Sequence, residues 1–223
     1  MINASIPDQG AAFSGYYESA RHGLLALMPA TAPREVLEIG CGAGATLAVI
    51  KARWPNCQVV GVELRAEAVD VARRGGLIDE ILQGDVLDRT SLDFARGRFD
   101  VIVLSHVLEH FAQPELVLER ARRWLSPAGC LLVALPNVRH LSLLVELVLK
   151  ADFQYQPAGI LDRTHLRFYT RKSALRFLTE NGWHVEACTP EIDGPKSRAL
   201  QRWSFGLAND LAAYAYNFRV RAA

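Results

Sequence analysis

Lysine is scarce in this chain, confined to Lys51, Lys150, Lys172 and Lys196, and no basic run exceeds Arg122-Arg123 or Arg171-Lys172. With a formal net charge of only +1 there is no stripe of positive charge for a polyanion, which argues against a nucleic-acid binder. Cysteine is sparse too: Cys41, Cys57, Cys130 and Cys188 lie far apart without C-x-x-C spacing, which fits neither a zinc site nor a disulfide scaffold. They read as reduced thiols. No apolar run approaches the roughly 18 residues of a membrane span, and the opening MINASIPDQGAAF lacks the basic and apolar regions of a secretory leader. The expectation is a cytoplasmic protein with no membrane span. What is present is 223 residues, 50% hydrophobic and 22% charged, enough apolar surface to offset ordering entropy in one domain.

From residue 34 strand-like apolar runs alternate with stretches of helical period, the pattern of repeated β-α units around a parallel sheet. The runs are REVLEIG (34–40), CQVVGVEL (57–64), IDEILQGD (78–85), FDVIVLS (99–105) and GCLLVALP (129–136), rich in Val, Ile and Leu as strands covered on both faces should be. Helices are predicted over 45–54, 66–75 and 114–125, each ending near a Pro or Gly signal. After Pro136 the alternation breaks into LSLLVELVLK (141–150) and an irregular stretch, the natural place for a lid. Helical pattern resumes over 171–181, with Thr170 as its N-cap; WHVEACTP (183–190) and DLAAYAYNFRVRA (210–222) alternate as strands, with 193–197 as loop between them. A single domain 1–223 follows: a helical cap (1–33), a cofactor-binding core (34–137), a lid and acceptor region (138–170) and a closing segment (171–223).

The segment VLEIGCGAG carries the most information. Gly40, Gly42 and Gly44 allow close backbone approach to a ligand, and the helix behind them presents unpaired N–H groups. The loop alone does not name the ligand, because Gly40, Gly42 and Ala45 also satisfy G-x-G-x-x-G/A and Glu63 stands at the spacing of a ribose-binding acid in a dinucleotide fold. Glu38 discriminates: an acid two positions before the first glycine repels a pyrophosphate but suits a ligand with an ammonium group beside its carboxylate. S-adenosylmethionine is such a ligand.

The chain here resembles the class I S-adenosylmethionine-dependent methyltransferases, in particular a bacterial small-molecule group, with VLEIGCGAG, VVGVEL, QGDVLD, FDVIVLSHVLEHF and LSPAGCLLVALPN matching in order over about residues 34–137. The resemblance implies an α/β fold, a doubly wound, seven-stranded, mostly parallel Rossmann-like sheet with an antiparallel last strand and a lid after strand five. It implies that Gly40, Cys41, Gly42 and Gly44 bend around the methionine part while Glu38 holds its amino end. Glu63 would bind the ribose hydroxyls, Asp85 the adenine amino group, Leu64 and Val86 the ring, and Ser105 and His106 would face the sulfonium. Tyr16, in the N-terminal cap, would close over the cofactor.

Methyl transfer needs chiefly alignment, exclusion of water and, for a weakly acidic nucleophile, removal of a proton. His106, Glu109 and His110 recur at i, i+3 and i+4, on one face if helical, and His106 is the first candidate base. Quinone-type relatives can read E-x-x-E-H here and bind a divalent metal; His106 replaces the first acid, and no metal is expected. LDRTHLRFYT (161–170) resembles a segment on the acceptor side of the bacterial group, which would place His165 as a second base and His110, Arg163, Arg167 and Tyr169 against the acceptor. On a packing reading, Phe168 and Tyr169 instead seat the following helix and Asp162 caps a turn. LSLLVELVLK reads as a buried helix, a homodimer contact or a greasy acceptor surface. The function expected is methylation, with oxygen favoured by the absence of an Asn/Asp-Pro-Pro-aromatic signature, of a small-molecule or glycan- or lipid-linked acceptor. A non-catalytic cofactor-binding module and an NAD-dependent reductase are the alternatives.

Overall fold

A computed structural model describes residues 20–88, 94, 96–205 and 208–223. In chain order the elements are α1 (His22–Leu25), β1 (Glu35–Ile39), α2 (Ala45–Arg53), β2 (Gln58–Glu63), α3 (Ala66–Gly75), β3 (Glu80–Gln83), β4 (Phe99–Ser105), α4 (Pro114–Trp124) and β5 (Leu125–Pro136). There follow α5 (Leu141–Leu144), α6 (Arg171–Glu180), β6 (Trp183–Glu191), α7 (Gly194–Trp203), α8 (Asn209–Ala212) and β7 (Ala215–Ala222). The seven strands form one sheet in the order β3-β2-β1-β4-β5-β7-β6, parallel except for β7, which runs antiparallel to both its neighbours. The doubly wound sheet with an antiparallel last strand is the architecture expected from sequence.

The near-continuous apolar strands have a plain physical reason: both faces are covered. Leu37, Ile39, Val60, Val62, Ile102 and Leu104 pack on one face against Val117, Leu118 and Ala121 of α4 and Leu178 of α6. Val36, Val59, Val101 and Val103 pack on the other against Leu24, Leu25, Leu47 and Ile50 of α1 and α2. Period-two alternation therefore puts Glu38 on the α1/α2 face. The register aligns Ile39 with Val62 and with Leu104, so the carboxyl ends of β1, β2 and β4 finish side by side. Chain order reverses between β1 and β4, and a crevice opens at that switch point, where sheets of this type bind ligands.

Four expectations are corrected. β5 begins at Leu125 rather than 129, because Leu125 pairs with Phe99 before a register shift restores regular pairing from Cys130. Residues 193–197 are not all loop: Asp193 accepts from Gly194 N–H at 2.7 Å and caps α7, with Pro195 in the first turn, where its missing N–H costs nothing. β7 starts at Ala215, residues Asn209–Ala212 forming a helical turn instead of strand. Finally, LSLLVELVLK is not a buried helix. It is the short α5 followed by a wide π-type turn over Val145–Leu149, which leaves Val148 and Leu149 70% and 77% exposed.

The lid is tied at its base. Asn137 pairs with Tyr169, Val138 N–H donates to Tyr169 C=O at 2.9 Å, and the buried Asn137 amide donates to Asp210 C=O and Ala213 C=O. Thr170 then opens α6 with a reciprocal cap, its hydroxyl accepting from Ser173 N–H at 3.2 Å while Ser173 Oγ accepts from Thr170 N–H at 2.9 Å. Thr170→Ala should lower stability by about 1 kcal/mol in urea unfolding, without changing the slope of the transition.

Candidate functional site

The crevice has a volume of about 490 Å³. Gly40 and Gly42 line it and Gly44 does not; the three stand at φ of +69°, +55° and +82°, the left-handed region that a side chain resists. A Cβ on Gly40 would lie 2.8 Å from Val107 Cγ2 and one on Gly44 2.0 Å from Ile78 Cδ1. The loop is therefore a cradle that only glycine builds. Glu63, at the end of β2, is pinned from both sides, Oε2 accepting from Gly42 N–H at 2.9 Å and Oε1 from Arg65 N–H at 3.0 Å. Each oxygen keeps a second acceptor direction for a ligand hydroxyl.

Glu38 is buried, hydrogen-bonded to Thr46 and in the field of Arg21, but its Oε2 has no partner. Burial pushes its carboxyl up to about 8, with Arg21 and Thr46 opposing. An unpartnered buried acid oxygen beside a cradle of left-handed glycines is the arrangement a cationic group would complete. Cys41 lines the same wall, its thiol buried and facing Gly42 C=O at 3.7 Å. At the far end Leu64 and Val86 form apolar jaws, and Asp85 stands on the rim with Oδ1 accepting from Leu87 N–H at 2.8 Å. Asp85 caps a turn while lining the crevice.

β4 delivers Ser105, whose buried hydroxyl has no partner, and then His106 at φ +54°, a conformation costing on the order of 1–2 kcal/mol. Both line the crevice. The next residues are not the helical face expected: Leu108–His110 is a single 3-10 turn that buries Glu109 completely and leaves His110 exposed. Glu109 Oε1 lies 3.4 Å from His106 Nδ1 and 3.9 Å from His165 Nε2, and neither carboxylate oxygen has a hydrogen bond. His165 comes from the lid, its ring 4.8 Å from that of His110, its Nδ1 3.0 Å from Ile160 C=O. Burial lowers the affinity of His165 for a proton, with Glu109 opposing. Glu109, His110 and His165 could hold a metal ion, one donor atom from each lying within 4.8 Å of the others.

Of the expected acceptor residues, His110 lines the crevice beside Thr164. His165 stands behind that wall. Arg163, Arg167 and Tyr169 do not line it: Arg163 is exposed, Arg167 donates to Ala112 C=O, and Tyr169 is buried against Phe177 at the base of the lid, its hydroxyl pushed up to about 12 by burial. Asp162 does cap a turn, accepting from Thr164 N–H at 2.8 Å. Tyr16 lies outside the described residues. Thr46, Thr164, Phe111 and the partnerless state of Glu109 were missed; Thr46 alone had a local signal, as the first-turn residue behind the glycine loop.

A methyltransferase-domain family matches residues 13–188. The chain belongs to that family. Among curated relatives, the mitochondrial ubiquinone biosynthesis O-methyltransferase of Mus musculus is 27% identical over 195 residues, covering 84% of this chain and 51% of that protein. The trans-aconitate 2-methyltransferase of Methylobacterium nodulans is 33% identical over 116 residues, 51% of this chain and 43% of that one. This methyltransferase-family chain thus spans about half the length of the curated relatives it matches. Among solved structures, an S-adenosylmethionine-dependent methyltransferase from Mesorhizobium loti superposes with a TM-score of 0.63 at 16% identity, covering 93% of this chain and 98% of that one, a likeness of fold. The family's cofactor fits the residues present, since the orphaned Glu38 oxygen and the glycine cradle match an ammonium-bearing nucleoside.

Glu38 has a measurable stability consequence. Its folded-state value is raised from 4.5 to about 8, so its contribution is full at low pH and is lost as pH rises through that window. Ligand-free Glu38→Gln should lack this decline and exceed the wild type by a few kcal/mol above pH 8, measured by denaturant unfolding at pH 5 and 9.

Proposed function

We propose that the chain binds S-adenosylmethionine and transfers its methyl group to an oxygen of a small-molecule acceptor. The observation that carries this is the meeting, beside the β1/β4 switch point, of Glu38 on β1, whose buried Oε2 has no partner, with a pinned acid at Glu63 at the end of β2. When bound, the cofactor supplies an electrophilic methyl on a sulfonium. Glu38 would take its ammonium, Gly40, Cys41, Gly42 and Gly44 its methionine part, Glu63 the ribose hydroxyls, Asp85 the adenine amino group, and Leu64 and Val86 the ring. Ser105 and His106 would face the reacting carbon.

With His106 Nδ1 turned to Glu109, Nε2 is the atom left to take a proton from an acceptor hydroxyl. The acceptor would enter between His106, His110, Phe111 and Thr164. Exposed Leu147, Val148, Leu149, Phe153, Tyr155 and Phe168 on the lid support an acceptor with apolar or lipid-linked character. The names of the relatives, which act in quinone biosynthesis or on trans-aconitate, support small acceptors bearing oxygen.

Titration calorimetry with S-adenosylmethionine, S-adenosylhomocysteine and NAD side by side tests the cofactor. Binding of the first two without NAD is expected, and binding of NAD alone would overturn the reading. Glu63→Ala should weaken cofactor binding by about 1.5–3 kcal/mol, the value of hydrogen bonds to a charged group. His106→Ala should slow methyl transfer to a quinol or phenol acceptor with cofactor affinity unchanged; full activity would remove His106 as the base.

A further inference from the structure

We infer that a second cavity, under the lid, binds a hexose-sized ring bearing several hydroxyl groups. Its volume is about 290 Å³, at the lower end of small-molecule sites, and it lies between α5 with the turn after it, the lid segment 152–161 and Tyr214 just before β7. Part of the lining is apolar: Leu143, Ile160 and Leu161 form a small cluster of their own, joined by the Tyr214 ring. The rest is polar, chiefly Glu146, Asp152, Gln154 and Gln156. Among the described residues, neither the Asp152 carboxylate nor the Tyr214 hydroxyl has a hydrogen-bond partner. Burial pushes the Tyr214 hydroxyl up from its ordinary value, so at neutral pH it keeps its proton and can both donate and accept. Glu146 already takes Lys150 Nζ on Oε1 at 2.7 Å, which leaves Asp152 as the unbalanced charge of the lining.

The mixture of groups selects the ligand. Carboxylate oxygens only accept, amides and a phenol do both, and an apolar wall takes C–H surface; a hydroxylated ring offers hydrogens, lone pairs and a C–H face at once. A hydrocarbon would strand the polar set without partners, and an anion would meet the Asp152 charge. Calcium needs about six to eight oxygens, which a lining shared with Leu143, Ile160 and Leu161 does not supply. The lid backbone is preorganised for such a guest. Gln156 N–H donates to Leu161 C=O at 2.8 Å, Arg163 N–H to Gln156 C=O at 3.0 Å and Asp162 N–H to Gly159 C=O at 3.0 Å, a closed loop that fixes Gln156 and Ile160. The cavity also adjoins the crevice: His165 Nδ1 meets Ile160 C=O at 3.0 Å, while Thr164, one residue earlier, lines the crevice itself. A ring held here therefore braces the segment that carries Thr164 and His165. A free sugar and a sugar unit carried by the acceptor share this chemistry, and the first does not depend on the cofactor reading.

The test titrates the purified full chain, without cofactor, with methyl glucoside, methyl galactoside and methyl mannoside to millimolar concentration, followed by saturation-transfer NMR. At least one glycoside is expected to bind saturably and to slow amide exchange over 142–146 and 152–161. Asp152→Asn should weaken that binding about tenfold, the value of a hydrogen bond to a charged group, and Gln154→Ala, at an exposed side chain, about threefold, both with Tm unchanged. A second titration, with the 4-hydroxyphenyl glycoside of the sugar that binds and with saturating S-adenosylhomocysteine, separates the two sources. Binding at least about tenfold tighter than the methyl glycoside marks a sugar carried by the acceptor, and equal binding marks a free one. No saturable binding of any of the three glycosides, binding indifferent to both substitutions, or displacement by putrescine at equal concentration would overturn the proposal.

Discussion

A carboxylic acid buried without a full set of partners organises this molecule. Glu38 sits on a central strand, between β2 and β4, at the wall of the crevice, buried and with no hydrogen-bond partner for its second oxygen. Burial, with the Glu63 charge adding and Arg21 and Thr46 opposing, pushes its carboxyl up to about 8. A group of that kind weakens the empty protein over the pH range in which it ionises, and the glycine loop that follows it takes left-handed conformations open to glycine without strain. Both features fall at the same point of the fold, the switch between β1 and β4. They are intelligible together as preparation for a ligand that brings a positive charge close to the backbone.

Much of this was legible in the sequence because the signals are local. Continuous Val, Ile and Leu runs mark doubly covered strands, three alternate glycines mark a strand-to-helix cradle, and acids at positions 38 and 63 mark the ends of paired strands. Glu38, Gly40, Gly42 and Glu63 meet in the crevice, since parallel register brings the ends of β1, β2 and β4 level. Where prediction departed from structure, longer-range packing decided. The start of β5 depends on Leu125 finding Phe99 across a register shift, which no periodicity within 125–129 records. Exposure of Val148 and Leu149 depends on a turn that widens after α5, so apolar content alone misplaced them in the core.

The lid residues show the same division. Thr170 and Asp162 do what their local chemistry says, as cap and turn. Tyr169 joins the base of the lid, bridged to Asn137, because the chain must return to β5 before α6 can begin, and that closure is invisible from THLRFYT. Glu109 is the clearest case. A single 3-10 turn swings it inward between His106 and His165, a neighbourhood assembled from two segments that i, i+3, i+4 counting cannot join.

In the proposed function Glu38 is held protonated until a cationic cofactor arrives. Calorimetry of S-adenosylmethionine binding at pH 6.5 in buffers of different ionisation enthalpy counts the protons exchanged with solvent. Below its raised value Glu38 must lose its proton to pair with an ammonium, so the wild type should release close to one proton per ligand and Glu38→Gln none. Binding of equal strength in both proteins, with no proton released by either, would contradict the account.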